Sequence, residues 1–125
     1  MTGKDVEGLE AARASTVLEA ARARSGLVVL VGVETLLATP AGELYALPAG
    51  SRTLGTAGAG DVLAGAIGGL LAQGLSPEAA AAWGVKLHAL AGIRAAREVG
   101  EDGALARDLL DRLPAAQREA RGGGA

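Results

Sequence analysis

Asp61 stands where a run of small residues, Thr56-Ala57-Gly58-Ala59-Gly60, gives way to the apolar stretch Val62-Leu63-Ala64-Gly65-Ala66-Ile67. The pattern reads as a glycine loop opening into a helix, with one carboxylate at the helix start. Glycines let backbone N–H groups approach an anion closely, and the helix start adds partial positive charge. An acid beside such a phosphate cradle is placed to take a proton from a hydroxyl that attacks, or leaves with, a phosphoryl group. A plainer reading uses the same residues: Asp61 accepts backbone N–H bonds as a helix cap.

The other chemistry-bearing side chains are less suggestive. His88 is the only histidine, and between Leu87 and Leu90 on a helix it reads as a packed side chain. Trp83 reads as core packing or an intersubunit contact. Glu34 and Glu43 flank strands and read as solvated, and Thr35 suits a strand without further purpose. Glu101-Asp102 precedes a helix and reads as complementing its dipole. No cluster of His and carboxylates has metal-ligand spacing. Any Mg²⁺ is therefore expected to arrive with a nucleotide, held mainly by phosphates and waters.

The elements that must position these residues follow from periodicity. Residues 5–24 carry Ala14, Val17, Leu18 and Ala21 on one helical face, and Ser25-Gly26 ends that helix. Leu27-Val28-Val29-Leu30-Val31 is a continuous apolar run, the pattern of a parallel-type strand covered on both faces. Residues 35–39 and 43–47, separated by Pro40-Ala41-Gly42, predict a hairpin. After a loop, a helix is predicted over 60–73, with Gly74 just past its end. Ser76-Pro77-Glu78 is a strong helix start for a segment reaching about Val99. A further helix is predicted over 103–113, Pro114 dividing it from a short terminal turn, and residues 121–125 read as frayed. The alternation argues for an α/β layer architecture. With so few strands, the apolar strand at 27–31 is expected to leave an edge and a face open unless something covers them.

Composition narrows the classes of function. The 125 residues suit one domain, read here as a single partial one: helix over 1–26, strands over 27–47, glycine-rich anion loop over 48–61, helices over 60–120. Half of the chain is apolar, yet it holds no Phe, one Trp and one Tyr, so its core lacks large side chains. A net charge of −2 offers no basic footprint for nucleic acid. No apolar run is long enough to span a bilayer, and the N-terminus does not look like a signal peptide. With no cysteine, the expectation is a soluble, cytoplasmic protein.

From the glycine loop onward, GAGDVLAGAIGGLLAQGLSPEAAAAWGVKLHALAG resembles the C-terminal half of ADP- or ATP-dependent NAD(P)H-hydrate dehydratases, members of the ribokinase-like superfamily. The likeness covers roughly residues 27–120, including VVLVGVETLLATPAGELYALPAG. It implies the C-terminal half of a three-layer α/β/α fold, a strand plus hairpin followed by helices. The activity implied is repair of hydrated NADH or NADPH, water being removed at the expense of a nucleotide phosphate bond, with ADP or ATP as co-substrate and Mg²⁺ carried by the nucleotide. The family's acid falls on Asp61, and its phosphate loop on Thr56, Gly58, Ala59 and Gly60. A second nucleotide segment, usually Lys-Gly-x-x-Thr, falls on Val31, Gly32, Val33, Glu34 and Thr35, so the lysine is replaced. Ala57 and Ala59 stand for a usual glycine and serine, and Ser51-Arg52 for a usual Asn-Pro pair, which makes Arg52 a candidate source of the lost charge. The family's N-terminal half has no counterpart in these residues, implying a homo-oligomer or a partner that supplies it. The TAGAGD wording equally resembles small-molecule kinases of the same fold, and a non-catalytic nucleotide-binding remnant is a third reading.

Overall fold

The computed structural model describes residues 3–32, 34–48 and 50–122. Helix α1, Gly3–Arg24, leads into strands β1 (Val28–Leu30), β2 (Glu34–Ala38) and β3 (Leu44–Pro48). A 3-10 turn, Arg52–Gly55, then precedes helices α2 (Ala59–Ala72), α3 (Pro77–Glu98) and α4 (Ala106–Ala120).

Helix α1 buries the expected stripe: Val17 and Ala21 pack with Leu36 and Ala38 of β2, flanked by Leu18, Val28 and Leu30. It ends in a left-handed residue, but that residue is Ser25 at φ +49°, not Gly26. The N–H groups of Ser25 and Gly26 return to the Arg22 and Ala21 carbonyls, which closes the last turn.

The sheet corrects one expectation. β1 is neither parallel nor covered on both faces. It pairs antiparallel with β2, Leu30 opposite Leu36 and Val28 opposite Ala38, as an edge strand of the described sheet. All three of its residues are only half-buried. The apolar run is the same in either setting; the tight reversal between Leu30 and Glu34 decides the direction. β2 is the central strand. Its Leu36 and Ala38 face α1, and by alternation Thr35 and Leu37 face the α3 side. The β2–β3 hairpin closes as expected, with Gly42 at φ +96° and the Thr39 N–H donating to the Glu43 carbonyl at 2.9 Å.

The helical layer follows its local chemistry. Gln73 caps α2, Gly74 takes φ +95°, and the N–H groups of Gly74 and Leu75 bond the Leu71 and Leu70 carbonyls. Ser76 caps α3, its hydroxyl accepting from the Ala79 N–H at 3.2 Å, with Pro77 in the first turn. α4 differs from expectation: Pro114 lies inside it. The missing N–H weakens one rung, but Pro114 is exposed while Leu109 and Ala116 on the same helix are buried. Packing on α3 therefore carries the helix past the proline.

α2 and α3 approach closely at Gly84, where an added Cβ would lie 2.5 Å from Ile67 Cγ1. The β-branched Ile67 has little rotamer freedom to yield. Gly84→Ala gains about 1 kcal/mol of helix propensity and meets an overpacking cost of about 1–3 kcal/mol. The expected outcome is a net loss of about 1 kcal/mol, read by urea unfolding; a stabilised variant would contradict this helix contact.

Candidate functional site

The glycine turn is built from three supports. Thr53, 1% exposed, donates its hydroxyl to the Gly92 carbonyl of α3 at 3.1 Å and holds the 3-10 turn against that helix. Gly92 permits this approach, since a Cβ there would lie 2.7 Å from Leu54 Cδ2. Thr56 donates its hydroxyl to the Ala104 carbonyl at 3.2 Å, tying the turn to the loop before α4. Gly58 then takes φ +89°, with the Ala106 methyl beneath it.

From Gly58 the chain enters α2. The Ala59 N–H donates to the Thr56 carbonyl at 3.0 Å, and the Asp61 and Val62 N–H groups both donate to the Gly58 carbonyl. Among the described residues the N–H groups of Ala57, Gly58 and Gly60 find no backbone acceptor, and all three residues are exposed. Ala59 differs: its amide is engaged and its methyl is fully buried among Ala95, Ala104 and Leu109. The turn therefore presents unspent donors at a helix start, the arrangement that binds anions.

Asp61 lies in the first turn of α2 and is exposed. The ion pairs of the described residues join Glu10, Glu98, Glu101, Asp102, Asp108 and Glu119 to arginines and leave Asp61 out. Leu47, Pro48, Trp83 and Leu90 line a groove that does not include Asp61. Trp83 is 40% exposed with the Lys86 ammonium 5.1 Å from its ring centre, so core packing is not its role.

His88 is 2% exposed and packed as expected. Its Nε2 has no partner among the described residues. Burial pushes its pKa below 6.5, outweighing the opposing effect of the Ala59 backbone. A histidine with a lowered folded pKa binds fewer protons folded than unfolded, so stability declines as pH falls below about 6.5. Thermal unfolding across pH 7 to 5 is expected to show that decline, and His88→Leu to flatten it.

The second expected segment sits on a different support. Val31 is 40% exposed, Glu34 is exposed, and Thr35, 3% exposed, is buried within β2. Val33 lies outside the described residues. Arg13 of α1 crosses the bare face of Gly32, where any Cβ would collide with its guanidinium, and donates to the Glu34 carbonyl at 3.1 Å. Sequence reasoning missed that cation because it arrives from a helix 21 positions away. α2 packs chiefly on α3 and α4, not on this sheet.

Arg52 is not the free charge that its place before the turn suggested. Its guanidinium pairs with Glu101 at 3.2 Å and Asp102 at 3.5 Å, and its N–H donates to Glu101. The hydrogen bonds to Arg52 hold the Glu101 carboxyl below its ordinary range. Glu101 and Asp102 thus bind Arg52 instead of serving a helix start; that role falls to Asp108, whose carboxylate accepts from the Leu105 N–H at 2.8 Å. No group of three or more His, Asp or Glu side chains able to hold a metal occurs among the described residues. No helix there is long and apolar enough to cross a membrane.

The chain is similar to proteins whose work is known. It is 45% identical over 121 residues to the bifunctional NAD(P)H-hydrate repair enzyme Nnr of Thermofilum pendens, covering 97% of this chain and 23% of that one. It is 40% identical to the ADP-dependent (S)-NAD(P)H-hydrate dehydratase of Xanthomonas campestris, covering 91% and 42%. The crystal structure of the ADP/ATP-dependent NAD(P)H-hydrate dehydratase from Bacillus subtilis, co-crystallised with ATP/Mg²⁺ and soaked with CoA, superposes with a TM-score of 0.81 at 32% identity, covering 91% of this chain and 42% of that one. The chain thus spans less than half the length of these relatives. Their fold is ribokinase-like, and the small sheet with its helices corresponds to part of it. The family profile described as NAD(P)H-hydrate dehydratase matches residues 1–115. With that profile covering most of its length, the chain belongs to the NAD(P)H-hydrate dehydratase family.

Proposed function

We propose that this chain takes part in nucleotide-dependent dehydration of hydrated NADH or NADPH, with the glycine turn as its phosphate site. The observation that carries the proposal is the set of unspent N–H groups at Ala57, Gly58 and Gly60 beside a carboxylate without an ion-pair partner. In this reading Gly58 and Gly60 donate to nucleotide phosphate, Thr56 braces the turn, and buried Ala59 anchors it. Asp61 takes the proton of the substrate hydroxyl, or assists its departure once phosphate has activated it. The segment 31–35 lines the adenine nucleotide through its backbone, because Thr35 is buried and Val31 carries no charge. ADP or ATP is the co-substrate. Any Mg²⁺ would arrive with the nucleotide, held mainly by its phosphates and waters.

The cytoplasm is the proposed compartment, where the hydrated cofactors would arise. The unpaired outer edge of β1 supports pairing of that edge by a second copy or another polypeptide. The test of the function combines the purified chain with hydrated NADH and ADP or ATP, and follows the return of dihydronicotinamide absorbance. Regeneration of NADH supports the reading. Phosphorylation of simple alcohols instead, with hydrated NADH untouched, would replace it with a kinase of the same fold.

A further inference from the structure

Strand β3 leaves more of the sheet open than β1 does. Four of its five residues are exposed, Leu44 and Tyr45 among them, whereas all three residues of β1 are half-buried. Among the described residues no strand pairs with its outer edge. From Leu44 to Pro48 that edge carries no charged side chain. An uncharged edge left bare in water invites pairing with another chain.

The ladder shows which groups this edge offers. The Glu43 carbonyl accepts from the Thr39 N–H and so points toward β2, and by alternation the backbone groups of Tyr45 and Leu47 point there too. Leu44 and Ala46 therefore aim their N–H and C=O groups outward. Pro48 belongs to the same outward set but has no N–H to give. Side chains alternate as well. Tyr45 and Leu47 stand opposite Leu37 and Thr35 on the α3 side, and the Tyr45 hydroxyl donates to Glu43 Oε2 at 2.6 Å on that face. There an apolar groove takes its lining from β3 and α3, including Leu47, Pro48, Trp83 and Leu90, and from no residue of β2. Lys86 lines it too, its ammonium over Trp83, and enters no ion pair among the described residues.

We propose that a second copy of this chain pairs with β3 edge to edge, antiparallel, about a twofold axis through Tyr45. In this register Leu44 stands opposite Ala46 of the other copy, and each such pair exchanges both of its outward hydrogen bonds. Pro48 falls outside the ladder, where its missing N–H costs nothing. An axis normal to the sheet keeps the α3 sides of both copies on one face. Tyr45 then meets its own counterpart, an aromatic cross-strand pair. Glu43 comes opposite Leu47 of the other copy, at the groove that holds Lys86. Each copy offers a carboxylate at one end of β3 and an ammonium at the other, so reversing the direction brings unlike charges together. The exposed Leu44 and Tyr45 gain cover, and the two sheets become one. This pairing is independent of the nucleotide reading.

Sedimentation equilibrium of the full chain is expected to show a dimer at about 0.1 mM. Ala46→Pro deletes an outward N–H without touching the bonds to β2, since proline is tolerated on an outer edge, and is expected to sediment as a monomer at that concentration. Glu43→Lys and Lys86→Glu each turn attraction into repulsion at both symmetric contacts. Each is expected to weaken the dimer about ten-fold, and the double variant to return to within about three-fold of the parent. A parent that is monomeric at about 0.1 mM overturns the proposal and leaves the edge to a different occupant. An assembly that Ala46→Pro leaves at its parental size overturns it as well, because another surface then holds the copies. Should Ala46→Pro not fold, the charge exchange decides: rescue in the double variant supports the register, and a double variant no tighter than the single ones overturns it.

Discussion

Asp61→Asn is expected to remove conversion of hydrated NADH while leaving nucleotide binding in place. The substitution keeps size and hydrogen bonding but cannot take up a proton, so the rate should fall by about 10²–10⁴-fold. Folding should hardly notice. Asp61 is exposed and outside the ion pairs, and its interaction with the helix dipole is worth about 0.3–1 kcal/mol. ADP affinity should stay equal or improve slightly, because a negative charge beside the phosphates is gone. Assay of NADH regeneration and calorimetry with ADP on one preparation separate the effects. Full activity in the variant would leave Asp61 as a plain helix-start acid and remove the mechanism.

What was legible in the sequence was local chemistry. Ser76-Pro77-Glu78 sets the start of α3, and Gly74 ends α2, because caps and left-handed glycines act within a few residues. The turn at 56–61 was legible for the same reason: small residues before an apolar helix leave amides exposed. Which amides are exposed was not legible. Ala59 reads as one of three equivalent donors, yet its N–H is taken by Thr56 and its methyl fills a cavity made by α3 and α4.

The misread elements all depend on distant partners. The direction of β1 is set by its pairing with β2, not by its own apolar run. Helix α4 continues through Pro114 because α3 buries its other side. Arg52 and Glu101 are 49 positions apart, so neither side chain advertises the other. Arg13 reaches the turn at Gly32 for a reason visible only in the fold: a missing side chain leaves room for a guanidinium. In each case a pattern correctly names a residue's preference, and tertiary contact decides where that preference is spent.

Leu109→Ala should be the most damaging single substitution outside the turn. Leu109 is fully buried and is among the largest side chains in that state. Its neighbours are Ala59, Ala95 and Ala104, with Leu54 and Val62 at the rim. Alanines have no side-chain freedom with which to fill a void, and the chain has no Phe to move into it. The cavity should therefore stay open, placing the loss near the middle of the range of about 2–5 kcal/mol for such truncations. That is a large part of the total for a domain whose stability is of order 5–15 kcal/mol, and the unfolding midpoint should drop by about 10 °C. Because Leu109 is the floor under Ala59, the damage reaches the amides above it, and ADP affinity should weaken in the fraction that stays folded. Leu109→Met, which keeps the volume, should cost less than about 1.5 kcal/mol and preserve ADP binding. Equal losses in the two variants would mean that shape, not filled volume, supports the turn.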